Sequence, residues 1–163
     1  MTRSTLQATR AAIYGALSTN LVYQVDTGSS YTTATLDPTH VVPRSVWLAG
    51  GDQAPDPLVC FSIADLGDVD GRPTAGERVM RLTVWCVSTD EDTTSFIYEA
   101  VRARLSYADQ DAIDGTADLS RPAATYQLPA QFRSIVPQPS SPCDYDTATG
   151  KWYIRAVFRV NAI

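Results

Sequence analysis

The chain has 163 residues, 44% of them hydrophobic and 19% charged, with a formal net charge of −5 at pH 7. That length fits one domain with a sizeable core. No apolar run approaches the roughly 18 residues of a membrane span, and no signal-peptide core follows Met1-Thr2-Arg3-Ser4, so the expected place of synthesis and residence is the cytoplasm. The acidic balance, with Lys151 the one lysine among 13 basic residues, argues against a surface built to clamp phosphates.

Ser4-Thr5-Leu6-Gln7 fits a capping box, and Leu6, Ile13, Ala16 and Leu17 recur at helical spacing, which predicts a helix over residues 4–19 with Asn20 as a left-handed stop. Residues 20–57 are less regular. Leu21–Val25 and Tyr31–Leu36 are candidate short strands, and Asp37-Pro38, Pro43, Gly50-Gly51, Pro55 and Pro57 punctuate the rest. A connection this long either has a job or contains further strands. Leu58–Ala64 is a continuous apolar run of strand length.

Glu77–Val87 alternates, with Met80, Leu82, Val84 and Cys86 on one face and Val79, Arg81, Thr83 and Trp85 on the other. Between these strands an acidic hairpin loop carries Asp65, Asp68 and Asp70. A second helix is expected over 90–106. Asp90, Glu91 and Asp92 lie in its first turn, against the positive end of the dipole, and Phe96, Ile97, Ala100, Val101 and Leu105 form its apolar stripe. Residues 108–116 read as a polar surface loop, and Thr125–Val136 as strand broken near Pro129. Asp144–Gly150 reads as a turn, and Trp152–Val160 as the clearest strand. The series implies an α+β fold: a mostly antiparallel sheet of four or more strands with two helices on one face, in one domain with long loops at about 20–56 and 108–150.

No catalytic constellation stands out. His40, the one histidine, sits in a turn-like context, and neither a nucleophile elbow nor a catalytic-cysteine signature occurs. Cys60, Cys86 and Cys143 are odd in number and widely spaced, which fits reduced core cysteines, and they offer no zinc-ligand spacing. Asp65, Asp68, Asp70 and Gly71 depart from a calcium loop, because the twelfth position falls on Gly76 or Val79 where a glutamate is needed. No enzyme activity, cofactor or metal is expected.

Taken together, the helix Thr9–Leu17, the strand Pro57–Ile63 and the strand Arg78–Cys86 running into Ser88–Thr93, then the helix Phe96–Leu105 and the closing strand Trp152–Val160, resemble the tail terminator (tail completion) family of long-tailed bacteriophages. The resemblance covers most of the chain in order and spacing. It implies a virion protein whose copies close a ring, a hexamer, on the head-proximal end of the tail tube. The ring stops tube polymerisation and offers a surface for head docking. The implied partners are further copies of the chain, the tail tube protein and a head–tail connector or neck protein, with DNA passing through and no membrane contact. A head-completion or adaptor protein of the neck is the alternative; a small hydrolase or binding domain is a remote one. The long loops are the natural place for contacts between subunits, with Trp47 and Phe132 as candidate anchors and Asp65, Asp68 and Asp70 as candidate acidic residues of the channel or loop.

Overall fold

The computed structural model describes residues 5–49, 54–67, 78–105 and 132–162. The expected Ser4 half of the capping box, most of the acidic loop between residues 64 and 77, and the segment 106–131 lie outside these residues.

Helix α1, Thr5–Ser18, buries Thr9, Ala12, Ile13, Ala16 and Leu17, a three-and-four spacing that makes one stripe. Asn20 ends it at φ 49, the left-handed stop expected from the sequence. Strands β1, Val22–Asp26, and β2, Tyr31–Thr35, form an antiparallel hairpin. Its turn is held by the Gly28 amide, which donates to Asp26 Oδ1 at 2.7 Å, with Gly28 at φ 89. Leu21 and Leu36, each 1% exposed, anchor the hairpin's base in the core. A 3₁₀ turn, Pro38–His40, is capped by Asp37, and a one-turn helix α2 spans Arg44–Leu48. The irregular stretch 20–56 thus contains a hairpin and two short helical turns.

The main sheet has five strands: β3 (Leu58–Gly67), β4 (Arg78–Ser88), β5 (Phe132–Pro137), β6 (Asp144–Asp146) and β7 (Lys151–Ala162). The order is β3-β4-β7-β5, every pairing is antiparallel, and β6 also pairs with β7. Ile63 stands opposite Leu82, and Leu82 opposite Phe158, so three strands bring apolar side chains to one face in register. Helix α3, Glu91–Leu105, lies on that face with α1. Asp90 caps α3, its Oδ2 accepting from the Thr93 amide at 2.9 Å. The core between helices and sheet holds Ile13, Leu17, Met80, Leu82, Ile97, Val101, Phe158 and Val160, all buried.

The α+β, mostly antiparallel architecture matches the expectation, with one addition: a helix on the second face. There α2 lays Trp47 against Leu58, Cys60, Trp85 and Val87, a smaller second core. The turn expected at Asp144–Gly150 begins as strand β6 before closing at Gly150, φ 69.

Candidate interaction surface

Strict alternation along β4 and β7, combined with their pairing, determines what the second face of the sheet presents beyond α2. Arg81 on β4 stands directly opposite Arg159 on β7, Thr83 opposite Val157, and Trp85 opposite Arg155. Directly paired residues share a face, so all three arginines project away from the main core. Arg81, Arg155 and Arg159 are exposed, as are Ser62 and Ala64 on the adjoining stretch of β3. Arg44 of α2 joins them, with its guanidinium carbon 4.4 Å from the Trp85 ring centroid. A shallow depression of about 310 Å³ lies between Arg81 and Arg159, lined also by Leu66, Val79, Gln138 and Val157. No carboxylate pairs with the guanidinium of Arg81, Arg155 or Arg159 among the described residues.

The charge at one end of the sheet is opposite. Asp56, before β3, accepts from the Thr89 amide at 3.1 Å and from its hydroxyl. Asp90, Glu91 and Asp92 open α3, and Asp144 and Asp146 bracket Tyr145 in β6. Burial first, then the negative charges of Glu91 and Asp144, raise the pKa of the Cys143 thiol, and a Ser95 hydrogen bond opposes them. Tyr145 is 47% exposed and meets Trp152 edge-on at 5.2 Å between centroids.

The structure places the sequence-derived candidates differently from one another. Trp47, proposed as a contact anchor, is only 3% exposed; its ring lies 5.4 Å from that of Tyr153 and covers the chain's own second core. An indole already enclosed has little area left for a neighbouring subunit, whereas the adjacent Leu48 is 52% exposed. Phe132 opens β5 opposite Ala162, and Asp65 on β3 stands opposite Met80, but the side chains of both lie outside the described residues. Asp68 and Asp70 lie outside them entirely.

His40 closes the 3₁₀ turn, and its buried Nδ1 has no hydrogen-bond partner. Cys60 and Cys86 are free thiols on neighbouring strands that point to opposite faces of the sheet. Desolvation pushes Cys60 up to about 12, partly opposed by Arg44, and burial raises Cys86 as well. Such thiols are inert rather than nucleophilic. Among the described residues no three His, Cys, Asp or Glu side chains gather as metal ligands, and no helix is long and apolar enough to cross a membrane.

No family model matches the chain, and no curated protein does. Among solved structures, a chain of the virion of a native gene transfer agent (GTA) particle is similar, with 17% identity over 69% of this chain and 72% of that chain and a TM-score of 0.44.

Proposed function

We propose that the chain is a non-enzymatic structural protein of a long-tailed phage particle, and specifically the tail terminator. Copies close into a ring, a hexamer, on the last ring of the tail tube. That ring ends polymerisation and presents a docking surface to the neck of the filled head. The observation that supports this reading is the order of elements: α1, then β3, then β4 running directly into the acid-capped α3, and β7 closing the sheet. This is the series on which the family resemblance rests. The second face of the sheet carries exposed charged side chains, and the described residues gather no set of metal-ligating groups there, which suits contact. Asp65, Asp68 and Asp70 are proposed to line the channel, where negative charge lets DNA slide without sticking. Phe132 is proposed as a contact between subunits. The tail tube protein and a neck protein are the other proposed partners.

Electron microscopy of particles assembled without the protein tests the proposal. Overlong tails are expected. Tailless heads that leak DNA would place the chain among head-completion proteins instead.

A further inference from the structure

We infer that copies of this chain join by strand addition: the free edge of β2 in one copy pairs with the free edge of β3 in the next. This deepens the ring reading and rests on it, by naming the two edges that meet.

The main sheet ends on β3. In an antiparallel strand, successive residues turn their backbone groups to opposite sides. The Val59 carbonyl accepts from the Val42 amide at 2.9 Å, on the side away from β4. Phe61 and Ile63 therefore aim their N–H and C=O groups the same way, and none of the described residues pairs with them there. This open stretch is bounded by the Val41–Val59 bridge on one side and by the register shift after Asp65 on the other. An exposed edge is a template for another chain, and proteins blunt the edges they do not use with proline, lysine or very short strands. β3 runs for 10 residues with neither proline nor lysine.

The far side of the sheet is blunted. The Gln138 amide donates to the Val157 carbonyl, so the preceding Pro137 turns its ring nitrogen outwards, where it has no N–H to offer. β6 has only 3 residues. In the hairpin, β1 lies along α3, which leaves β2 as the open strand. The Thr27 amide donates to the Ser30 carbonyl and the Leu36 amide to the Leu21 carbonyl. By the same alternation Tyr31, Thr33 and Thr35 aim their backbone groups away from β1. β2 is Tyr-Thr-Thr-Ala-Thr, a composition suited to a sheet, and it is exposed at every position but Ala34. A two-stranded hairpin is marginal alone, and a third strand supports it. Its length matches residues 61–65 of β3. The two unblunted edges differ from one another, so their pairing is head to tail, the heterologous contact from which closed rings are built. Backbone hydrogen bonds carry the contact, as in other strand additions.

The test is hydrogen–deuterium exchange at the backbone amides of the full chain across a protein concentration series, with sedimentation equilibrium reporting association. The wild type is expected to self-associate. The amides of Thr33, Phe61 and Ile63 are expected to exchange fast in dilute solution and slowly once copies associate. Thr33→Pro removes an amide that faces away from β1 and so keeps the hairpin ladder; circular dichroism checks that it is folded. It is expected to weaken association about tenfold or more, and to leave the Phe61 and Ile63 amides fast at concentrations where the wild type protects them. Thr33→Lys keeps every backbone group, adds a charge to the edge and is expected to act in the same direction; it serves in place of Thr33→Pro if that chain does not fold. A wild type that stays monomeric overturns the inference. So does protection of Phe61 and Ile63 in the dilute monomer, which would mean that the chain covers β3 with its own residues. Protection confined to one of the two edges would mean that like edges pair, and a folded Thr33 variant that associates as the wild type does would mean that another surface is used; either result overturns it. None of these outcomes bears on tail length, so the terminator reading stands or falls separately.

Discussion

Arg104 lies in the last turn of α3 and is 6% exposed. A cation in that turn complements the negative end of its own helix. In the structure it reaches across to α1, donating to the carbonyls of Ala16 at 3.3 Å, Thr19 at 2.9 Å and Asn20 at 2.9 Å. Those carbonyls belong to a helix end whose oxygens have no partner further along the helix. One guanidinium therefore caps α1 and locks it to α3. Arg104→Met is expected to leave several carbonyls without donors at small cost in volume, and to lower stability by about 2–4 kcal/mol, read by urea denaturation. Arg104→Lys is expected to recover little, because an ammonium cannot reproduce the planar fork; full recovery would show that charge alone matters.

The thiols supply a second expectation at this scale. The folded Cys60 pKa, about 12, lies above the ordinary 9.0. Below the ordinary value both states hold the proton and the group has no effect on stability. As pH rises from 9 towards 12 the unfolded chain loses its proton first, so stability declines through that window. Cys60→Ser is expected to flatten the decline in a denaturation series across that range, and a slope unchanged by the substitution would remove Cys60 as its source.

At the scale of elements, α3 depends on its cap. Asp90→Ala removes the acceptor for the Thr93 amide and hydroxyl and is expected to cost about 1 kcal/mol, seen as a lower urea midpoint with unchanged slope. This helix was readable in the sequence because its cap, acidic first turn and apolar stripe all agree. So were β4 and β7, whose period of two extends over 11 and 12 residues. Two of the shorter pieces, α2 and β6, were not readable, whereas β1 and β2 stood out as short candidate strands. A five-residue helix such as α2 spans little more than one turn, too short for a 3.6-residue period to show. The three residues of β6 are Asp-Tyr-Asp, whose composition favours a turn; only pairing with β7 makes them strand.

The interaction surface was half legible for the same reason. Alternation places Arg81, Arg155 and Arg159 off the core face. Their meeting depends on the register between β4 and β7, strands more than sixty residues apart, and no local pattern specifies that. Trp47 is enclosed in the second core, and its sequence context does not reveal that, because an aromatic in a Pro- and Gly-punctuated stretch has the same appearance whether it faces a neighbour or its own sheet.

For the whole molecule, the main sheet is the common wall of two cores, one beneath α1 and α3 and the other beneath α2. Leu82 and Phe158 are opposed and buried at the centre of the larger one. Leu82→Asp or Phe158→Asp places an unpaired charge there, enough to offset a typical stability of about 5–15 kcal/mol, and is expected to yield no soluble folded protein. Because the wall is shared, the cores are expected to melt together. Tryptophan fluorescence, weighted towards Trp47 and Trp85 of the smaller core, should follow the same transition as far-ultraviolet circular dichroism. An earlier fluorescence change would show that the small core opens on its own.

The position of β7 in the sheet also governs the timetable of folding during synthesis. It is last in chain order among the described elements, yet it lies between β4 and the β5–β6 edge. A ribosome that has delivered residues 58–88 has made a hairpin that can zip at once. The inner edge of β4 must then wait for residues 151–162, with its hydrogen-bonding groups unpaired. At about 5–20 residues per second, that interval lasts several seconds. A waiting edge of this kind is a template for the wrong strand, including the β4 of a neighbouring nascent chain. Production of the protein is therefore most vulnerable to crowding and to stalled translation between Ser88 and Lys151, a hazard set by strand order rather than by final stability.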